Sequence, residues 1–313
     1  MLDQAVIVLR FAQYGAAAVL MGLPLFFLFA WRPETRMGAL APPWPRALLV
    51  VASGGLLVAS AIGLFLQIAV MAGSLSGAFE PAAIAAVVTG MGLGKSALVR
   101  SGVALVALLI ALVAGPGRRT WVALGTLGAV AIASFPWMGH GAATEGAEGW
   151  AHLAADIVHG WAAALWIGAL VGFLVFIRAA RLAPELTSVL HGGLHRFSGL
   201  GTLLVATLVA SGIVNSWFLV GPDQISGLWT SDYGRLLLLK IVLFIGMLVL
   251  AAANRFRHTH ALGLGLGLST QRSKPAELGA LHRSVLLEAT LGFSILALVA
   301  WFGTLPPPAS HAG

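Results

Sequence analysis

Two histidines and an aspartate recur at helical spacing near the middle of the chain. His152, Asp156 and His159 stand at positions i, i+4 and i+7, so an α-helix would place all three on one face. His140 precedes them and follows Met138 closely. Neutral imidazoles bind copper, zinc, iron or nickel, and a thioether suits copper(I). The group predicts a metal or proton site, in which Asp156 is either a ligand or the carboxylate that orients an imidazole.

The chain that carries this group has the composition of a membrane protein. Of its 313 residues, 59% are hydrophobic and 9% are charged, and the mean hydropathy is +0.94. A soluble domain carries roughly 25% charged residues. Eight apolar runs are each long enough to cross the hydrocarbon of a bilayer, about 30 Å thick. They predict an all-α, polytopic transmembrane helix bundle of about eight spans, forming a single integral membrane domain over residues 1–313. The predicted spans are residues 5–30, 47–71, 96–114, 121–138, 150–177, 197–220, 233–253 and 285–304.

Two further segments need a separate interpretation. Residues 81–91 are apolar but too short to span, and they predict an interfacial or re-entrant helix with Pro81 at its first position. The N-terminal residues contain an acid and no basic segment before the first apolar run. We therefore expect the first helix to be retained rather than cleaved as a signal peptide.

Basic residues are concentrated in alternate loops. Thirteen of the 18 lysines and arginines follow the first, third, fifth and seventh spans, whereas the other loops carry acids. Because basic loops mark the cytoplasmic side, both termini are predicted to be extracytoplasmic. The same bias explains the net charge of +7 without a nucleic-acid partner. The acids of the other loops are Glu80, Glu145, Glu148, Asp223 and Asp232.

With this orientation, seven polar residues of the spans fall in one outer layer, within two or three helical turns of the span ends. A charge at mid-bilayer costs about 2.5–3.5 kcal/mol on insertion scales. Snorkelling to headgroups is an alternative for the cations but explains Asp156 and His159 poorly. The layer predicts a shared polar cavity, lined also by Arg10, Gln67, Arg100, Asn215 and Lys240.

The inner half has one main polar residue, Glu288, and we expect it to pair with Arg283.

Several chemistries are excluded or lack a motif. The chain has no cysteine, which excludes disulfides, thiolate metal sites and cysteine nucleophiles. Residues 90–96, GMGLGKS, resemble a phosphate-binding loop, but Thr89 stands where that motif needs glycine and no strand precedes it. No hydrolase triad is recognisable. We therefore predict a protein that is not an enzyme and does not use ATP.

Six motifs stand out in the C-terminal half of the chain. They are MGHGAA at 138–143, HGWAAALWIGAL at 159–170, RFSGLGTLLVATLVASGIVNSW at 196–217, YGRLLLLKIVLF at 233–244, ANRFRH at 253–258 and HRSVLLEATLGFSILALVAWFGTLPP at 282–307. With these motifs the chain resembles the CopD family of bacterial copper-resistance inner-membrane proteins, most strongly over residues 135–307. The resemblance implies a multi-pass protein of the inner membrane that accepts copper, as Cu⁺ or Cu²⁺, from a separate periplasmic CopC-like donor and moves it inward.

The resemblance also implies roles for residues. His140, His152 and His159 are implied as ligands, with Asp156 orienting an imidazole, and Lys240 is a candidate to neutralise Asp156. Two other functions stay open at this point. One is an electron carrier with a transmembrane b-type haem, which needs histidines facing each other from different helices. The other is an accessory protein for cuproenzyme assembly.

Overall fold

A computed structural model describes residues 2–30, 44–139, 141–142, 144, 146–183, 185–254 and 274–311. Within these ranges the chain is helical and contains no strand. Eight of the helices are long and apolar enough to cross a membrane, as predicted. The helices are α1 (Leu2–Ala30), α2 (Arg46–Met71), α3 (Pro81–Gly90), α4 (Gly92–Val113), α5 (Arg118–Ala133), α6 (Gly146–Leu182), α7 (Leu186–Leu219), α8 (Gly227–Thr230), α9 (Asp232–Ala253) and α10 (Lys274–Phe302).

The helix ends differ from the predicted spans where the helix outruns its apolar run. α6 extends past both predicted limits, and α7 begins well before residue 197. An apolar run marks only the part that crosses hydrocarbon, and a helix can continue into the headgroup layer. The fourth span differs in another way. Pro136 lacks an N–H group and disfavours helix in the residue before it, so α5 ends at Ala133 and a 3₁₀ segment, Phe135–Met138, completes the span.

The short helix predicted over residues 81–91 is α3, and Pro81 occupies its first turn. Pro81 fits there because the N–H groups of a first helical turn have no partner within the helix. α3 packs on α4 where Gly94 has no side chain, since a Cβ at that position would meet the carbonyl of Val87.

Alternation of the eight long helices brings the two ends of the described chain to the same end of the bundle. Arg10 of α1 donates to the carbonyl oxygen of Gly303, just after α10, at 2.8 Å. We call this the His152 end, because α6 starts there. At the opposite end, called the Arg196 end, Arg196 of α7 donates to the carbonyl of Ala30, the last residue of α1.

α1 is the central helix and packs against α2, α5, α6, α7 and α10. It crosses α6 where Gly22 faces Gly168, so closely that a Cβ on either glycine would meet backbone of the other helix. Gly128 of α5 approaches the backbone of Met21 in the same way. Small residues allow such contact between transmembrane helices, whose packing cannot rely on exclusion from water. Gly22 and Gly168 therefore fix the position of α6 against α1, and Gly128 fixes that of α5.

We expect Gly168→Ala to destabilise the bundle, because its methyl group would push α1 away from α6. The cost of overpacking is about 1–3 kcal/mol. Gly55→Ala on α2 is the matched control, since a Cβ there meets nothing within 4 Å. Thermal unfolding of the purified protein in detergent should show a lower midpoint for Gly168→Ala alone. Equal midpoints would contradict the close crossing.

Candidate metal centre

Asp156 of α6 faces Asn215 of α7 at the His152 end. The Nδ2 of Asn215 donates to Oδ1 of Asp156 at 3.3 Å. Lys240 and Tyr233, both on α9, lie within electrostatic range of the carboxylate. Three helices thus converge on one intramembrane acid. Three of the predicted site residues thus lie close together: Asp156 and Asn215 through a hydrogen bond, and Lys240 near them without an ion pair.

His159 lies one turn deeper on the same face of α6. Its Nδ1 is 3.0 Å from Oγ of Ser211 on α7. The Ser211 hydroxyl already donates to the carbonyl of Thr207 at 2.6 Å, so its oxygen accepts from the imidazole. In that arrangement Nδ1 of a neutral imidazole carries the proton and Nε2 carries the lone pair. Nε2 is therefore the atom that can bind a metal ion or accept a proton.

The chain on either side of position 140 is held against this site. Before it, Arg10 donates to the carbonyl oxygen of Met138 at 2.6 Å. After it, Gly141 lies against Asp156, and a Cβ on Gly141 would meet the Oδ2 atom of that carboxylate. His140 itself lies outside the described residues. Its predicted role as a ligand stays a prediction.

His152 occupies the first turns of α6, where it is buried. Its Nδ1 is 2.8 Å from Oγ1 of Thr144, and its ring stacks on Phe218 with the centroids 4.8 Å apart. His159 is seven residues further on, about 10 Å along the helix axis. The described residues contain no group of three or more His, Cys, Asp or Glu side chains placed to share a metal ion.

Arg100 is in the same layer but belongs to a different group of contacts. It is 2% exposed, and it donates to Oγ of Ser60 at 3.3 Å and to Oγ of Ser134 at 2.9 Å. Its guanidinium also lies 4.9 Å from the ring centroid of Phe135. Snorkelling therefore does not describe Arg100, because the side chain is enclosed by protein. It joins α2, α4 and the end of α5.

The other two predicted lining residues also lie away from Asp156. Arg10 is buried, and two of its guanidinium nitrogens donate to backbone carbonyls, as described above. Gln67 is half-buried on α2, a helix that packs mainly against α1 and α4. Arg10 holds the segment before position 140, so it acts on the site through its neighbours.

Sequence reasoning missed several residues of this layer. Ser211 precedes Asn215 by four residues, so the two share a face of α7, and that spacing was a usable indication. Thr144 had no such indication, because it lies in a loop. Gln13, which is 2% exposed and donates to the carbonyl of Ala59 at 2.8 Å, lies one turn from Arg10.

The predicted pair of Glu288 with Arg283 is wrong. The oxygens of Glu288 accept from Nε1 of Trp166 and from Nδ2 of Asn254, each at 2.8 Å, and Arg283 is exposed. Five residues of helix separate the two charges, which places them about 140° apart around α10. In the described part of the chain, the one ion pair within 4.0 Å joins Arg235 to Asp232.

Comparison with known proteins identifies relatives along the whole chain. Residues 1–150 match a family model described as "Copper resistance protein D-like, N-terminal domain", and residues 192–302 match "Copper resistance protein D". Copper resistance protein D of Pseudomonas syringae pv. tomato is 37% identical over 97% of each chain. No solved structure matches the chain.

Two shorter matches each cover part of this chain and part of the relative. Copper transport protein CutJ of Bacillus subtilis (strain 168) is 25% identical over 56% of this chain and 28% of its own length. Inner membrane protein YebZ of Escherichia coli (strain K12) is 32% identical over 38% of this chain and 39% of its own length.

We expect Gly141→Ala to disturb the site, because its methyl group would occupy the space of the Asp156 carboxylate. The loss of stability should be about 1–3 kcal/mol. Gly139→Ala in the same segment is the control, since a Cβ there would lie 3.4 Å from the Arg10 guanidinium, an ordinary contact. Thermal unfolding in detergent should separate the two variants. A tolerated Gly141→Ala would contradict the contact with Asp156.

Proposed function

The chain belongs to the copper resistance protein D family, and from that premise we propose that it binds copper at the His152 end and transports it across the membrane. It is a multi-pass protein of the inner membrane. The observation that carries the proposal is the pair formed by His159 and Asp156 on one face of α6. This pair places an imidazole lone pair and a carboxylate inside the bundle. A cation there is out of contact with bulk water and needs such ligands from the protein.

Copper fits the donor atoms of this site. Nε2 of His159 is a borderline ligand for either oxidation state of copper, and its orientation is fixed by the Ser211 hydroxyl at Nδ1. Asp156 accepts one bond from Asn215, which leaves its other oxygen for a metal ion or for a second imidazole. We propose His140 and Met138 as further ligands of this ion, because Arg10 holds the segment before position 140 against the site. His152 lies about 10 Å away along α6, and we propose it as a separate ligand that copper meets first.

Lys240 adjusts the charge of the site. Its Nζ lies 5.8 Å from the ring centroid of Phe302, and it is more than 4.0 Å from the Asp156 carboxylate. A lysine at that distance partly offsets the acid without occupying the ligand position. The net effect is a site that binds a cation less tightly than an isolated carboxylate would. A transporter needs such a compromise, because an ion held too tightly does not leave.

The proposed direction of copper transport follows from the charge of the loops. We propose that the arginine-rich loops face the cytoplasm, so the His152 end and both termini face the periplasm. A separate CopC-like protein would then deliver copper to the His152 end, and transport would be inward without ATP or catalysis. The membrane potential is negative inside and favours inward movement of a cation, by about 2.3 kcal/mol per charge for 100 mV.

The alternatives gain no support from the described contacts. A b-type haem needs two histidines from different helices, whereas His152 and His159 both belong to α6 and have their own partners. An accessory role in cuproenzyme assembly shares the copper site but lacks transport. Copper uptake separates that role from the proposed one.

The orientation is open to a direct test, because the chain has no cysteine of its own. We expect Asp223→Cys, between α7 and α9, to react with a membrane-impermeant maleimide in spheroplasts. Glu185→Cys, between α6 and α7, is the matched control, because both acids are exposed loop residues. It should react only after lysis, because we propose that its loop faces the cytoplasm. The reverse labelling pattern would place the His152 end in the cytoplasm.

The copper site is tested by measuring binding to purified protein against a competing chelator. We expect His159→Ala to lose bound copper, and Ser211→Ala to weaken binding by about 10–100-fold because the imidazole loses its orienting partner. Thr207→Ala removes a hydroxyl that donates to the carbonyl of Leu203, one turn away on the same helix, and should bind copper normally. His195→Ala, at the Arg196 end, is the histidine control. Normal binding by His159→Ala would refute the site.

Transport is tested separately with the same variants in liposomes. Copper should accumulate inside liposomes that hold the wild-type protein and an imposed potential, negative inside, and His159→Ala should abolish the accumulation. Binding without accumulation would favour the accessory role.

A further inference from the structure

A cavity of about 220 Å³ lies at the Arg196 end, on the opposite side of the bundle from the proposed copper site. Its back wall is α6, with Trp166 and Phe173, and it opens between α7 and α9. Thr202 and Ala252 stand at this opening and are exposed. The space is large enough for several water molecules, which each occupy about 30 Å³ in the liquid.

Glu288 is the acid that lines this cavity. The side chain is 4% exposed, and each of its oxygens accepts one hydrogen bond, from Trp166 and from Asn254. Both donors are neutral, so they orient the carboxyl group without cancelling a charge. A buried carboxylate with no cation beside it is strongly disfavoured in a bundle surrounded by lipid.

No other titratable side chain of the described residues lines the cavity. Besides Glu288, the polar lining residues are Trp166 of α6, Ser198 and Thr202 of α7, and Asn254 just after α9, and the remaining wall is apolar. The basic neighbours on these helices point elsewhere, since Arg196 donates to the carbonyl of Ala30 and Arg283 is exposed. Among the described residues, Glu288 therefore has no cationic side chain beside it, and the cavity is its route to a cation.

The donor atoms indicate which cation this is. Glu288, Ser198 and Thr202 supply oxygen ligands, and the cavity has no histidine or methionine in the described residues. Copper(I) prefers soft ligands, and these hard oxygens hold it poorly. A proton needs only one carboxyl oxygen and water to carry it. Asn254 follows the last residue of α9, so the cavity reaches the Arg196 end of the bundle, which is the side from which we expect water to enter.

We propose that Glu288 is a proton-binding site, in which the carboxylate takes up a proton from water in the cavity and returns it there. Asn254 and Trp166 hold the carboxyl group in place through both states. Proton binding at Glu288 goes beyond the proposed copper function and does not depend on it.

Infrared difference spectra of the full-length protein without copper test the site. Spectra recorded between mildly acidic and mildly alkaline buffer should contain the carbonyl stretch of a protonated, buried carboxyl group. That band should be lost in Glu288→Gln and kept in Glu185→Gln, a control acid that is exposed in a loop. A band that persists in Glu288→Gln, or its absence from the wild type, would overturn the proposal.

A second variant keeps the test valid where Glu288→Gln does not fold. Trp166→Phe keeps an aromatic ring but removes the N–H group that donates to Oε1 of Glu288. The carboxyl band should then shift in frequency, because one hydrogen bond is lost. An unshifted band would assign it to another acid and overturn the proposal. A band that responds to sodium at constant pH would overturn it in favour of a metal cation.

Discussion

The close crossing of α1 and α6 at Gly22 and Gly168 is the contact on which the rest of the bundle depends. Because the two backbones touch, α6 cannot rotate, and the face that carries Asp156 and His159 is held toward α7 and α9. α1 in turn carries Arg10, whose bonds to the carbonyls of Met138 and Gly303 join the fourth span to the end of the eighth. A glycine contact inside the bundle thus sets the geometry of polar groups several turns away.

The polar side chains of the His152 end are of two kinds, which differ in their hydrogen-bond partners. Arg10 and Arg100 donate to carbonyl and serine oxygens and so stabilise helix contacts, and a guanidinium has no lone pair to offer a cation. His159 and Asp156 are each bonded on one side only by a described side chain. In lipid, an incompletely bonded polar group is costly, and its retention needs a function. The difference separates the residues that build the site from those that can bind a cation.

The eight spans could be predicted because crossing lipid requires a long apolar run, which is a local property of the sequence. The common helix face of His152, Asp156 and His159 could be predicted for the same reason, because their spacing is also a local property of the sequence. The partners of these residues were not, since Thr144 and Ser211 come from a loop and another helix whose positions depend on tertiary packing. The single outer layer of seven residues was inferred from depth along the helices, and it stays a prediction. Depth does not give the angle around the bundle, so Arg100 and Gln67 could not be distinguished from Asn215. The Arg283 error has the same origin, because proximity along the chain ignored the opposite faces of α10.

The face of α6 that carries the proposed copper site continues toward the Arg196 end as far as Trp166. Trp166 is seven residues beyond His159, which is about 10 Å along the helix axis. Trp166 bonds Glu288, so one rigid helix touches both the imidazole at one end and the acid at the other. The ligand chemistry changes along this face, from nitrogen donors that suit copper to oxygen donors that do not. A soft ion captured at His159 would find no equally good ligand at the level of Glu288. Such a decrease in affinity favours release over retention, and it places the proton site where the ion is no longer held.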